Sequence, residues 1–205
     1  MGLLSSEQAA AVEQAIARVE SRSGTELVVA VVERSDDYVA PRALVTFGWT
    51  LALSLAAAFF LPKLPPWWLI PLQMPLAAVL YALFSRPRLC RRLIPRGRAE
   101  LAVQARAYSV FAERGLHRTR ERTGLLILLS ELEHRVVILG DSGIHALVGE
   151  SGWREHVDRI VARIHEGRAA EGVLETIAVL EPLLAEHAPR RADDQDELAN
   201  AVVRG

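Results

Sequence analysis

The sequence has 205 residues, enough for one or two domains, and 51 % of them are apolar, with a mean hydropathy of +0.18. That is rich for a purely soluble protein, so part of the chain is expected to meet lipid. The formal net charge of -1 gives no overall attraction to nucleic acid, and a single cysteine, Cys90, excludes an intramolecular disulfide. The N-terminus lacks the basic start and early apolar core of a signal peptide, which places the expected membrane signal inside the chain.

The first elements predict a helix followed by a strand. Residues 5–8 (SSEQ) have the form of a capping box, and apolar residues then recur at helical spacing as far as Ser23 and Gly24. Residues 27–32 (LVVAVV) are a short, uninterrupted apolar run between turn residues. Such a run indicates a strand that is buried on both faces.

Two uncharged segments follow, at residues 43–61 and 67–84. About 20 apolar residues in a helix cross roughly 30 Å of hydrocarbon. The second segment begins with Trp67 and Trp68, whose rings favour the headgroup level, and prolines near the start of a membrane helix are tolerated. Together the two segments predict a transmembrane helical hairpin with a very short turn.

The segment after the hairpin is strongly basic. Residues 85–98 contain no acid and six arginines: Arg86, Arg88, Arg91, Arg92, Arg96 and Arg98. The positive-inside rule then predicts a multi-pass protein of the cell membrane with both termini and the soluble domain in the cytoplasm. Anionic lipid headgroups are the expected partners of these arginines. Nucleic-acid binding is disfavoured because the position beside a membrane helix already explains the charge. Cys90, within this segment, is interpreted as an apolar filler, with acylation as the alternative.

The second half predicts a helix, a hairpin and two more helices. The first helix ends near Gly115, and its predicted apolar face is Leu101, Ala105, Tyr108 and Ala112. Apolar runs at residues 125–129 and 136–139 lie at hairpin distance around the charged segment 131–135. A helical stripe follows, at Trp153, Val157, Ile160, Val161 and Ile164, and Gly167 closes it. The last helix is predicted over residues 173–186, where Pro182 should bend or interrupt it.

The order of elements predicts an α/β fold in which a small mixed β-sheet is sandwiched by helices and interrupted by the transmembrane hairpin. The first two strands are expected to be parallel because a helix lies between them. The predicted organisation is a first part of the α/β domain at residues 1–38, the hairpin at 43–84, a second part at 97–189, and a loosely held polar tail at 190–205.

Ser142 lies in a Gly-Asp-Ser-Gly sequence, which matches the surroundings of the nucleophile in trypsin-like proteases. Such a serine needs a base and oxyanion donors built on two β-barrels, which this helix-rich chain does not supply. We interpret the segment as a strand that ends in a turn entering a helix, with Asp141 as a cap. The six histidines show no metal-ligand spacing and the glycines no phosphate-binding pattern, so catalytic residues stay unknown.

Two pairs of carboxylates follow the predicted parallel strands. Asp36 and Asp37 come after the first strand, and Glu131 and Glu133 after the second. Ligands bind at the carboxyl edge of open α/β sheets, and oxygen ligands suit calcium or magnesium. The four residues are therefore a candidate metal site. The alternative is that Asp36 and Asp37 are a solvated connector and the glutamates a charged hairpin tip.

Several motifs together resemble the TPM domain family, in the bacterial subgroup with two transmembrane helices inserted in the domain. They are residues 23–29 (SGTELVV), 123–127 (TGLLI), 133–139 (EHRVVIL), Gly143-Ile144, Trp153, Gly167, and Gly172 before a closing helix. The resemblance implies an α/β/α sandwich. Some relatives are described as acid phosphatases or calcium binders. In the phosphatase-like relatives an acidic residue follows the second hairpin strand and its glycine region, and this chain departs from that pattern, because residues 147–153 read LVGESGW.

Two functions remain open. The first is a membrane-anchored binding or assembly module with an unidentified membrane protein as its partner. The alternative, which rests on the resemblance and the carboxylates, is a metal-dependent, acid-phosphatase-like enzyme using calcium or magnesium.

Overall fold

The helices and strands follow one another in nearly the predicted order. The computed structural model describes residues 3–61, 63, 65–119, 122–190 and 202–204, without the side chains of 66, 145–155, 165, 187 and 204. The helices are α1 (Ser6–Arg22), α2 (Val39–Phe60), α3 (Pro66–Phe84), α4 (Pro87–Leu93), α5 (Arg96–Glu113), α6 (Ser142–His165) and α7 (Ala169–His187). The strands are β1 (Leu27–Val32), β2 (Leu125–Ser130), β3 (Arg135–Gly140) and β4 (Val203–Arg204). The chain divides into two units, Met1–Ser35 with Glu100–Gly205, the α/β unit, and Asp36–Ala99, the inserted unit.

The start of α1 confirms the predicted capping box. The Ser5 hydroxyl accepts a hydrogen bond from the Gln8 amide at 3.2 Å, and the Gln8 side chain accepts one from the Ser5 amide at 2.9 Å. These two bonds satisfy donors that the first turn of a helix leaves without partners.

The sheet is mixed, with the strand order β3-β2-β1-β4. β1 and β2 are parallel, with Leu27 opposite Leu125, which confirms the expected crossover. β2 and β3 form the predicted antiparallel hairpin, with Ser130 opposite Arg135. Every residue of β1 and of β2 is buried, because helices cover both faces of these central strands.

Two hydrophobic layers flank the sheet and confirm the α/β/α sandwich. One face of β1 and β2, including Val29 and Ile127, packs with α1, α6 and α7. The opposite face, including Ala30 and Leu128, packs with α5 and the short 3-10 helix Leu116–Arg118. Alternation along a strand sends successive side chains to opposite layers, so one continuous apolar run supplies both cores.

The predicted apolar face of α5 is wrong. Leu101 is 70 % exposed and Tyr108 is 63 % exposed, and Ala105 and Ala112 are exposed as well. The buried residues lie on another face: Ala99, Val103, Ala107 and Val110. Alanine and valine are the small side chains that let a helix lie close to a sheet, whereas the larger leucine and tyrosine remain outside.

The inserted unit contains two helices that are long and apolar enough to cross a membrane, Val39–Phe60 and Trp67–Phe84. α2 begins four residues before the predicted residue 43 and so includes Arg42. α3 continues through Pro71 and Pro75. The short helix α4, which was not predicted, packs against both α2 and α3.

The last elements are α7 and β4. α7 begins at Ala169, before the predicted residue 173, and continues through Pro182 without interruption, and the bend that was the other possibility stays a prediction. The tail is not wholly loose, because Val203 in β4 pairs with Ala30 in a parallel ladder. Residues 191–201 of the predicted tail, and the side chain of Trp153 in the predicted stripe, lie outside the described part of the chain. Ile160 and Ile164 of that stripe are buried as predicted.

Candidate functional site

The carboxyl edge of β1 and β2 holds a buried polar cluster around Glu133. The side chain of Glu133 accepts hydrogen bonds from the Ser35 amide, at 3.0 Å, and from the Ser130 hydroxyl. The hydroxyls of Ser35 and Ser130 are 2.9 Å apart. Ser130 is fully buried and Glu133 is only 8 % exposed, so this glutamate lies inside the domain although it belongs to the hairpin turn.

The β2–β3 turn is short, and its backbone turns Glu133 inward. His134 adopts a left-handed conformation, with φ +50°, just before β3 begins at Arg135. The amides of Glu131 and Leu132 donate to the carbonyls of Val32 and Glu33 at 2.9 and 3.0 Å. The turn is therefore bonded to the segment after β1, which places Glu133 next to Ser35.

Glu131 lies in the same turn and is half-buried. Its carboxylate accepts a hydrogen bond from the Leu3 amide at 2.7 Å. Glu131 and Glu133 thus hold two different backbone segments of the α/β unit, the start of the chain and the exit of β1. Ser35 and Ser130 belong to no recognisable motif, and the one sequence signal for them is that a serine ends or follows an apolar strand.

Asp36 and Asp37 lie at the start of the inserted unit. Burial raises the pKa of Asp36, but the hydrogen bonds from Arg98 at 3.2 Å and from the Tyr38 amide at 3.3 Å, with the charge of Arg98, outweigh it and lower the pKa. Asp36 is therefore ionised at neutral pH. The Asp37 side chain is exposed.

The four predicted metal ligands fall into two pairs in two different units. Glu131 and Glu133 belong to the α/β unit, and Asp36 and Asp37 to the inserted unit. Both glutamates already accept hydrogen bonds, and among the described residues no three histidine, cysteine, aspartate or glutamate side chains form a metal-binding group. A calcium or magnesium site shared by the four carboxylates stays a prediction.

Arg42 forms a second polar cluster, inside the base of the α2–α3 hairpin. Its guanidinium donates to the carbonyls of Asp37 at 2.6 Å and Tyr38 at 3.3 Å, and to the Ser85 hydroxyl at 3.0 Å. It also lies over the ring of Tyr81, 5.1 Å from the centroid. Arg42 is only 9 % exposed, so the arginine ties the start of α2 to the end of α3. In the sequence it is a flanking charge, and its role follows only from the packing of the two helices.

Asp141 and Ser142 have the structural role predicted for them. Asp141 is the N-cap of α6, and its carboxylate accepts a hydrogen bond from the Ser142 amide at 2.6 Å. Ser142 is the first residue of that helix and lies at the opposite edge of the sheet from Glu133. His117 is exposed and His134 and His156 are half-buried, while the side chains of the other three histidines are outside the described part of the chain.

Two of the motifs that carry the family resemblance, residues 23–29 and 123–127, meet at the edge of the sheet opposite Glu133. The Thr123 hydroxyl donates to the Gly24 carbonyl at 2.6 Å, and the Leu125 amide donates to the Glu26 carbonyl at 2.8 Å. A Cβ atom on Gly124 would lie 2.3 Å from the Leu116 carbonyl oxygen, which only glycine avoids. These two motifs hold β1 and β2 in register.

Comparison with known proteins agrees with this architecture. Residues 93–182 match the family model described as the TPM domain. The match to the TPM domain covers this second part of the chain. The NMR structure of the BA42 protein from the psychrophilic bacterium Bizionia argentinensis is similar, with a TM-score of 0.61 at 20 % identity, over 98 % of this chain and 95 % of that one. At this identity the similarity shows the fold alone. No curated protein matches the chain.

Proposed function

We propose that this protein is anchored in the cell membrane by α2 and α3 and that its α/β unit is a binding or assembly module. The observation that carries the proposal is the surface of the two helices. Large apolar side chains on them are exposed, and these include Phe47, Trp49, Phe59, Phe60, Trp67 and Trp68. An exposed apolar surface of this extent is stable in lipid and not in water.

The arginines support one orientation for the hairpin. In α4 and the residues beside it, Leu89, Cys90 and Leu93 turn inward, while all six arginines of the basic segment are exposed. An exposed cluster of this size favours anionic headgroups and retention in the cytoplasm. Arg42, just before the first predicted membrane segment, adds a positive charge on the same side of the hairpin. We therefore propose that both termini and the α/β unit are cytoplasmic.

The binding or assembly role is supported by what the carboxylates at the sheet edge do. Glu131 and Glu133 bond to backbone amides, and Ser142 and Asp141 begin a helix. These groups make structural contacts within the α/β unit. A rigid domain held at a membrane surface, with its sheet covered on both faces, is suited to presenting its helices to another membrane protein.

The test of anchoring and orientation uses the full chain in bacterial cells. We expect the protein to stay in the membrane fraction after carbonate extraction at high pH. A C-terminal alkaline-phosphatase fusion should be inactive, because the enzyme folds only outside the cytoplasm. Release by carbonate would refute the anchor, and an active fusion would invert the orientation.

The arginine cluster can be tested separately from the anchor. Replacing Arg88, Arg91 and Arg92 together with glutamine should lower the amount of anionic lipid that co-purifies with the protein. The matched control is the same change at exposed Arg18, Arg114 and Arg118 of the α/β unit, which should leave the lipid unchanged. Equal lipid in the two triple variants would refute the role of the cluster.

One observation favours the alternative, a metal-dependent phosphatase. Asp36 is ionised and Asp37 is exposed, directly after β1, so both carboxylates could meet a cation. The purified full chain would then hydrolyse a generic phosphate ester with calcium or magnesium, and Asp36→Asn with Asp37→Asn would abolish the activity. No hydrolysis with either ion would refute this alternative.

A further inference from the structure

α2 and α3 enclose a groove of about 560 Å³ that opens on the side of the hairpin. Its walls include the exposed side chains of Phe47 and Met74, and small residues, Ala43, Ala77 and Ala78, line it. Small residues at a membrane-helix surface let another helix approach closely. The groove is therefore shaped for a helix.

The groove is polar where a lipid-facing surface should not be. Gln73 lines it, near the middle of α3, and is half-buried. In the described part of the chain Gln73 has no hydrogen-bond partner. Thr46 also lines the groove and is only 6 % exposed, and its hydroxyl lacks a partner among the described residues. Thr50 differs, because its hydroxyl donates to the Thr46 carbonyl at 2.8 Å.

An amide in hydrocarbon without a partner is costly, since lipid tails offer neither donors nor acceptors. An acyl chain in the groove would leave the amide of Gln73 unsatisfied. A glutamine side chain carries both a donor and an acceptor, so two of them satisfy each other. In a two-fold symmetric contact the same residue of each copy meets its counterpart near the axis.

We infer that the groove binds the hairpin of a second copy of this chain, with the Gln73 amides of the two copies hydrogen-bonded across a two-fold axis. The inference rests on the proposed membrane anchor. The alanines at 77 and 78 permit the close approach of the two α3 helices. Dimerisation then doubles the number of α/β units held at one point of the membrane.

The test uses the full chain reconstituted in vesicles, with cysteine crosslinking in a Cys90→Ser background. Ala77→Cys lies in the groove, whereas Val79→Cys is on the same helix, 66 % exposed and outside the groove. We expect disulfide-linked dimers for the cysteine at 77 and none for the cysteine at 79. Equal crosslinking at the two positions would overturn the inference.

The role of the amide is measured by energy transfer between labelled copies as the protein is diluted in lipid. Gln73→Leu should raise the dimer dissociation constant by about tenfold, because two interhelical hydrogen bonds are lost. Gln73→Asn keeps an amide and should restore much of the association. Thr50→Val is the matched control, and it should not change the constant, because that hydroxyl is satisfied within its own helix.

Two failures can be told apart. A wild-type protein that carbonate extracts from the vesicles refutes the anchor and the inference together. A protein that stays in the bilayer but is monomeric, or whose dimer is unchanged by Gln73→Leu, refutes the inference alone and leaves the anchor intact.

Discussion

Glu133 is the residue on which the geometry of the sheet edge depends. It is buried and bonded both to the Ser35 amide and to the Ser130 hydroxyl. Removing such a buried acceptor leaves buried donors without a partner. The apolar strands bring these residues together, and the polar cluster then fixes how β1 leaves the sheet.

Glu133→Gln should destabilise the protein by about 1–3 kcal/mol, because the amide keeps one acceptor oxygen where the two oxygens of Glu133 accept from Ser35 and Ser130. Denaturant titration of the detergent-solubilised full chain measures the change. Hydrogen exchange should also show weaker protection of the Ser35 amide. Glu131→Gln is the control, because one amide oxygen can still accept the Leu3 bond, and its effect should stay within about 0.5 kcal/mol. Equal losses in the two variants would contradict the role given to Glu133.

The stability of the inserted unit depends on pH through the ionisation of Asp36. The pKa of Asp36 is lowered in the folded state from its ordinary value of 3.8. The carboxylate therefore contributes stability that is present above pH 3.8 and is lost as the pH falls through the folded pKa.

The wild type should have a higher thermal midpoint than Asp36→Asn. The difference should be constant near neutral pH and decrease as the pH falls below 3.8. High salt should reduce it, because the side chains of Asp36 and Arg98 are 37 % and 45 % exposed. The same substitution at Asp37 is the control. An advantage that grew toward acid would contradict the sign.

At the scale of elements, α5 shows why helical periodicity alone can select the wrong face. Leu101 and Tyr108 are the larger apolar residues, and they lie outside. Val103, Ala107 and Val110 face the sheet, where small side chains let the helix pack closely on the β1–β2 pair, and Phe111 is partly buried against the same layer. The period of the pattern predicted the helix, and the space available at the sheet decided its rotation.

Ala107→Leu should cost about 1–3 kcal/mol, because the added methylene groups must fit into a filled layer. Ala105→Leu is the matched control on the exposed face and should be nearly neutral. Denaturant titration of the two full-length variants decides between the faces. A larger loss for Ala105→Leu would restore the face predicted from sequence.

α6 and α7 also depend on a close approach. A Cβ atom at Gly172 would lie 2.8 Å from the Cβ of Arg163 and 3.1 Å from the Cα of Ile160. The glycine lets the first turn of α7 pack directly on α6, where the salt bridge from Arg163 to Glu175 at 2.7 Å joins the two helices. The close contact explains why residue 172 is a glycine.

At the scale of the whole molecule, the end of the chain returns to the sheet. Val203 pairs with Ala30, and the Val202 amide donates to the Glu13 side chain at 3.1 Å. β4 covers the outer edge of β1, which would otherwise present unpaired backbone groups. The last residues therefore complete the α/β unit, although the segment before them is polar.

A chain ending at residue 201 should lose about 1–2 kcal/mol of stability, because partly buried valines and ladder bonds are removed. It should also aggregate more readily through the exposed edge of β1. Denaturant titration and light scattering of the purified protein measure the two effects. Deletion of Gly205 alone is the control, and a truncated protein as stable as this control would contradict the role of β4.

The sequence by itself determined the elements whose signal is local. A capping box, the apolar run 27–32, two shorter apolar runs around a charged turn, and two uncharged segments long enough for a bilayer predicted α1, the first three strands and the hairpin helices. These signals are local because periodicity and hydrophobic length act within one segment. The tertiary structure decided the rest, because it depends on residues that are far apart in the chain. The burial of Glu133 by Ser35, the burial of Arg42 between α2 and α3, the rotation of α5 and the addition of β4 to the sheet each depend on which surfaces meet. The sequence of one segment does not specify which distant segment will pack against it.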